Sequence, residues 1–189
     1  MPSGRTHDRI TLWSLPWVVG LTFLLTRDRK LTLILAGAFL FSGMMFGPDL
    51  DIYSVQFKRW GKLRWIWLPY QKMLRHRSRL SHGLIVGTTL RVVYLFILLA
   101  VAATIGVAVA QLIWGIPWNW QKFTEYSIQS VSSHYLEEAS ALFLGLELGA
   151  MSHSLSDWMG SAYKRFGKKN TKRVTRKKQP KRPSSIRRK

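Results

Sequence analysis

Seven side chains of the types that hold metal ions sit at the ends of apolar segments: His7, Asp49, Asp51, His76, His82, His153 and Asp157. Imidazoles and carboxylates together suit zinc, with manganese or iron as alternatives. The chain has no cysteine, which excludes disulfide staples and thiolate sites of the zinc-finger kind. His153 and Asp157 are four apart in HSLSD, so on a helix they share a face and offer a nitrogen and an oxygen to one point. Asp49 and Asp51 stand in GPDLD, although Pro followed by Asp is also ordinary turn chemistry. The set exceeds the needs of a single four-coordinate ion. Two ions sharing a bridging carboxylate would lower the pKa of a water and clamp an oxyanion, the usual arrangement for phosphoester hydrolysis. In that scheme Asp49 or Asp51 acts as bridge or base, and Arg77, with Arg79 beside it, grips an anionic substrate. Each piece also has a plain reading. HxxxD makes local hydrogen bonds on many helices, and HRSRLSH is equally one more basic loop segment.

Long apolar segments must position these residues. The uncharged runs Ile10–Thr26 and Leu31–Pro48 are followed by Val92–Trp120 and by Ala139–Ser156, which only Glu147 interrupts. A bilayer core takes about 20 helical residues, with roughly 17 as the lower limit, so the third run passes easily and the others are short. The expected fold is all-α: an integral membrane bundle of about four transmembrane helices. Glu147 reads as a buried base or a helix–helix hydrogen bond and stays outside the cluster.

Charge sets the orientation. Arg5 and Arg9 precede the first run, and residues 53–80 carry eight Lys or Arg and no acid after Tyr53. The segment 119–138 instead holds Glu125, Glu137 and Glu138 against one lysine. The positive-inside rule then puts both termini and the basic central loop in the cytoplasm, with Arg27–Lys30 as the one dissenting turn. That topology collects His7, Asp49, Asp51, His76, His82, His153 and Asp157 on one side and leaves His134 on the other. Trp60, Trp65, Trp67 and Tyr70 alternate with cations in the central loop, the pattern of an interfacial belt; RNA stacking would use the same residue types.

Residues 1–160 form one membrane-embedded metal-binding domain by this reading, and 161–189 a disordered polybasic tail. From Lys164 to Lys189 there are fourteen Lys or Arg and no acid, with almost nothing apolar to bury. A topology anchor accounts for that charge with no partner; anionic lipid and, behind it, nucleic acid are the partners it fits.

In order along the chain, THDRIT, GPDLD, HRSRLSHG and HSLSD resemble the bacterial inner-membrane metal-dependent hydrolases, in their uncharacterised metal-binding branch. The resemblance spans residues 1 to about 160. It implies that all seven residues are ligands or near-ligands, and that a metal-activated water attacks a phosphoester or lipid. A looser similarity, resting on His153 and Asp157, is to zinc-dependent phospholipase C. The competing function is a membrane-tethered interaction protein whose histidines only hold helices together.

Overall fold

Apolar runs of this length bury their backbone polar groups most simply as helices, and the chain does so throughout. The computed structural model describes residues 4–74, Ser78, Ser81, 83–115 and 117–178, leaving aside the side chains of residues 4–5, 131–134 and 161–178. Among these residues there are seven α-helices and no strand: α1 (Gly4–Thr26), α2 (Arg29–Met44), α3 (Val55–Arg59), α4 (Leu68–Met73), α5 (Val86–Trp114), α6 (Trp120–His134) and α7 (Leu136–Lys178). Two short 3-10 turns, Pro48–Asp51 and Gly61–Trp67, lie between α2 and α4.

A tight turn folds α2 back along α1. Arg27 takes φ +54°, and Asp28 caps α2 by accepting from the amides of Lys30 at 2.6 Å and Leu31 at 3.1 Å. Loss of such a cap costs about 1 kcal/mol. Asp28→Ala should therefore lower the thermal midpoint while leaving the metal content of the folded protein unchanged.

Helices α2 and α7 then pack side by side, running in the same direction. Lys30 pairs with Glu138 at one end (2.6 Å), and the Ser42 hydroxyl donates to the Leu146 carbonyl further along (2.5 Å). Gly145 and Gly149 make this approach close. A Cβ on Gly145 would lie 2.4 Å from the Leu35 carbonyl oxygen, and one on Gly149 would lie 2.5 Å from that of Phe39. Two small residues four apart form a stripe that lets the two helix backbones come into contact. Gly43 does the same between α2 and α1, since its Cβ would strike the Thr11 side chain at 2.6 Å.

Among the described residues two helices, α1 and α5, are long and apolar enough to cross a membrane. Little of either apolar stretch is buried against the rest of the chain, which leaves Trp13, Trp17, Phe96, Leu112 and others exposed. Of the four spans expected, these two have the length and composition among the described residues. At 16 residues α2 reaches about 24 Å, short of a hydrocarbon core of about 30 Å. The third run also ends earlier than expected, because Gly115 caps α5 in the left-handed region at φ +64°. Helix α7 continues to Lys178, so the backbone is helical well past residue 160, where a disordered tail was expected. Lysine and arginine are good helix formers when their charges are solvated.

The central loop departs most from its expected role. Trp67 and Tyr70 are fully buried, and Trp60 packs beside them and donates its Nε1–H to the Met45 carbonyl at 2.9 Å. With Phe46 and Tyr94 these rings form an aromatic core, in which Trp67 stands 5.1 to 5.6 Å from its four neighbours. Only Trp65 keeps the exposure expected of an interfacial belt. The 3-10 turn and α4 fold the loop against the helix ends, turning one face of the aromatic–basic pattern inward.

Candidate metal centre

Three elements meet where α1 begins, α2 ends and the middle of α7 passes. His7 comes from the first turns of α1. Gly47 and Pro48 turn the chain out of α2 into the 3-10 turn that carries Asp49. From one face of α7 come His153, Ser156 and Asp157, at the i, i+3, i+4 spacing of helical neighbours. Both histidines are buried.

The imidazole rings of His7 and His153 stack with centroids 3.9 Å apart. His7 Nε2 lies 3.4 Å from Asp157 Oδ1, and His153 Nε2 lies 3.2 Å from Asp49 Oδ2. One ligand atom each from His7, His153 and Asp157 falls within 4.8 Å of the others. Despite these separations, His153 Nε2 and Asp157 Oδ1 make no hydrogen bond, and both atoms are buried. An unmade hydrogen bond of this kind costs about 1–3 kcal/mol, and native interiors leave few. Close approach without hydrogen-bond alignment is the geometry of atoms converging on a third point. A cation there satisfies them together.

Neighbouring groups orient the rings. The Ser156 hydroxyl donates to the His153 carbonyl at 2.8 Å, and its oxygen lies 2.5 Å from His7 Nδ1. With the hydroxyl hydrogen already committed, His7 supplies the Nδ1–H. Its Nε2 keeps a free lone pair facing Asp157, the tautomer a metal-binding imidazole needs. Gln56 braces the second ring: its Nε2 donates to the Gly43 carbonyl at 3.0 Å and stands 3.5 Å from His153 Nδ1.

A cleft of about 270 Å³ opens over the cluster, with His7, Asp49 and His153 among its lining and Tyr53, Lys58 and Arg59 around them. Arg59 is fixed by two hydrogen bonds to Asp8, at 2.9 and 2.5 Å, and one to the Met44 carbonyl at 2.8 Å. The bonds to Asp8 hold the guanidinium even further above its ordinary range, so this charge is permanent. Lys58 is exposed, its ammonium 4.9 Å from the centroid of the Tyr53 ring.

Four of the seven expected ligands thus come together: His7, Asp49, His153 and Asp157. Asp51 takes another direction, buried where its charge acts on Tyr70 and Arg91. A 3-10 turn advances about 120° per residue, so two positions separate these carboxylates onto different faces. His76, His82, Arg77 and Arg79 lie outside the described residues. Sequence reasoning missed Ser156, Gln56 and the Asp8–Arg59 pair. The spacing HSLS held a signal for Ser156, three residues after His153. Arg59 was absorbed into a topology count, and nothing in the sequence marks Gln56.

An all-helical chain that gathers two imidazoles and two carboxylates beneath a polar cleft is built as a metal-binding protein. The chain belongs to the uncharacterized metal-binding protein family DUF2227, whose model matches residues 2–167. No curated protein and no solved structure matches it. The family match takes in every ligand from His7 to Asp157. It carries metal binding and no reaction, which is narrower than the hydrolase and phospholipase C likenesses drawn from the motifs.

Proposed function

We propose that this is a membrane-bound, metal-dependent hydrolase that acts on an anionic phosphoester from the cytoplasmic face. The observation that carries the reading is the pair of buried ligand atoms without a hydrogen bond, His153 Nε2 and Asp157 Oδ1, beside an open cleft bordered by Lys58 and the Arg59–Asp8 ion pair. The donor set fits zinc, with manganese or iron as alternatives. A divalent ion held by His7, His153 and Asp157, with Asp49 adjacent, would lower the pKa of a water and polarise a phosphoryl oxygen. Asp49, at the rim of the cluster, is the carboxylate positioned to take a proton in the cleft. Lys58 draws the anion in, while Arg59 has its countercharge in Asp8 and holds that wall of the cleft in place. The membrane reading is supported by α1 and α5, whose exposed apolar faces call for lipid, and by the basic segments that orient them. The polybasic tail would add attraction to anionic lipid.

The test is hydrolysis of a chromogenic phosphodiester by the full chain in nanodiscs, after chelation and add-back of zinc, manganese or iron. Turnover should appear only with metal, and Lys58→Ala should raise KM several-fold, about 1 kcal/mol for a partly exposed charge pair, with kcat little changed. Stoichiometric metal without turnover on any phosphomonoester or phosphodiester would leave a metal-binding protein and end the hydrolase reading.

A further inference from the structure

The central loop has an outer face as well as the inner one that builds the aromatic core. Lys62, Trp65 and Leu68 follow at intervals of three along the second 3-10 turn and into α4, and Lys72 stands one α-helical turn further on. Those intervals set the four on one side of the segment. Ile66, Trp67 and Tyr70 take the other side and are buried. Leu63, Arg64 and Met73 flank the outer row, and like the row itself they are exposed. Leu63, Trp65, Leu68 and Met73 keep between 47 and 76% of their surface open, too much apolar area in one place to be incidental.

Charge says what covers it. Lys62, Arg64 and Lys72 have no ion-pair partner among the described residues, and residues 52–74 contain no acid. A two-fold contact with a second copy, centred on this row, would set these cations against their own kind. An anionic surface that admits apolar side chains between its charges meets both halves of the pattern.

The loop is also fixed at a definite height on α5. The Tyr94 hydroxyl donates to the Ile66 carbonyl, and the Tyr94 and Trp67 rings stand 5.6 Å apart. Beyond Tyr94, residues 95–114 of α5 reach about 30 Å, the thickness of a hydrocarbon core. Phe96, Ile97 and Leu99 are exposed where that stretch begins, and an exposed Trp114 ends it. With this stretch in the bilayer, Tyr94 and the loop beside it stand at headgroup height, on the side of the metal cluster.

We propose that the outer face of residues 62–73 seats on an anionic bilayer surface. Leu63, Trp65, Leu68 and Met73 reach between the headgroups, and Lys62, Arg64 and Lys72 pair with their negative charges. The proposal rests on the membrane reading of α5 and not on hydrolysis. The same loop brings Tyr53 and Lys58 to the metal cleft, so seating it holds the cleft beside the headgroups.

The chain has no cysteine, so a single one can carry a probe. Met73→Cys and, separately, Ile105→Cys are labelled with nitrobenzoxadiazole, and the full chain is placed in phosphatidylcholine nanodiscs with or without phosphatidylglycerol. A lipid nitroxide is set either near the headgroup or deep in the acyl chain. The deep nitroxide should quench the Ile105 probe in both lipids. The shallow one should quench the Met73 probe several-fold more strongly when phosphatidylglycerol is present. Combined Lys62→Gln, Arg64→Gln and Lys72→Gln should erase that difference with metal content intact, because all three side chains are exposed. An unquenched Ile105 probe would remove the membrane reading and the proposal with it. A quenched Ile105 probe beside an unquenched Met73 probe would overturn the proposal alone; protection of the latter by single-stranded RNA would then mark the row as a nucleic-acid platform. Equal Met73 quenching with and without phosphatidylglycerol would leave plain apolar contact and overturn the anionic assignment.

Discussion

His153→Ala should cost the protein its metal. Outer-shell partners of metal ligands are worth about 10–100-fold in affinity, so loss of a ligand should exceed about 100-fold. Ser156→Ala should fall inside that outer-shell range, because it removes the oxygen that sets the His7 tautomer and leaves both rings in place. The measurement is metal per chain after loading and gel filtration, with affinities from competition against a chelator. Acidification should act in the same direction, since imidazole must be unprotonated to bind; burial, with the His153 ring beside it, holds the His7 imidazole below its ordinary range, so metal should stay through that range and leave at lower pH. The ligand assignment fails if His153→Ala and wild type hold metal equally, or if wild type never loads.

Gly149→Ala should be nearly as damaging, although it adds one methyl group a full turn before the ligand. That Cβ would stand 2.5 Å from the Phe39 carbonyl oxygen and 2.7 Å from Ser42 Cβ, and backbone cannot swing aside as a flexible side chain can. Overpacking of this kind costs about 1–3 kcal/mol. Helix α7 must move away from α2 to relieve it, carrying His153, Ser156 and Asp157 from His7 and Asp49. Metal affinity should fall together with the unfolding midpoint. Gly37 offers the control: a Cβ there meets nothing within 4 Å, so Gly37→Ala should preserve both. Unchanged metal binding in Gly149→Ala would separate the glycine stripe from the site.

The convergence of His7, Asp49, His153 and Asp157 was legible because it needs only alternating helix directions and ligands where the apolar runs end, although the helix that carries His153 and Asp157 continues well beyond them. Asp51 was not separable from Asp49, since PDLD does not announce whether it forms a 3-10 turn, and that alone divides their directions. The aromatic loop misled for a different reason. Tryptophan at a bilayer surface and tryptophan in a small core have the same neighbours in sequence, and only the folding back of Gly61–Met73 buries Trp67 and Tyr70. Helix α2 reads as a marginal span by apolarity, but its contacts with α7 depend on Gly145 and Gly149, which composition counts as two more small residues. Glu147 was noticed as an oddity inside an apolar run. Its role waited on Ile85, sixty-two positions away in sequence.

The parallel pairing of α2 with α7 also has a consequence for the order in which the protein is made. His7 and Asp49 emerge early from the ribosome with the α1–α2 hairpin, whereas the α7 residue that touches His7 lies 149 positions later. Until α7 arrives and seats its glycines on α2, half a coordination sphere stands open. Metal capture by His7, Asp49, His153 and Asp157 together would therefore wait for α7. An ion held by both halves would mark a chain whose folding has reached α7, and a chain arrested before α7 could not carry that mark.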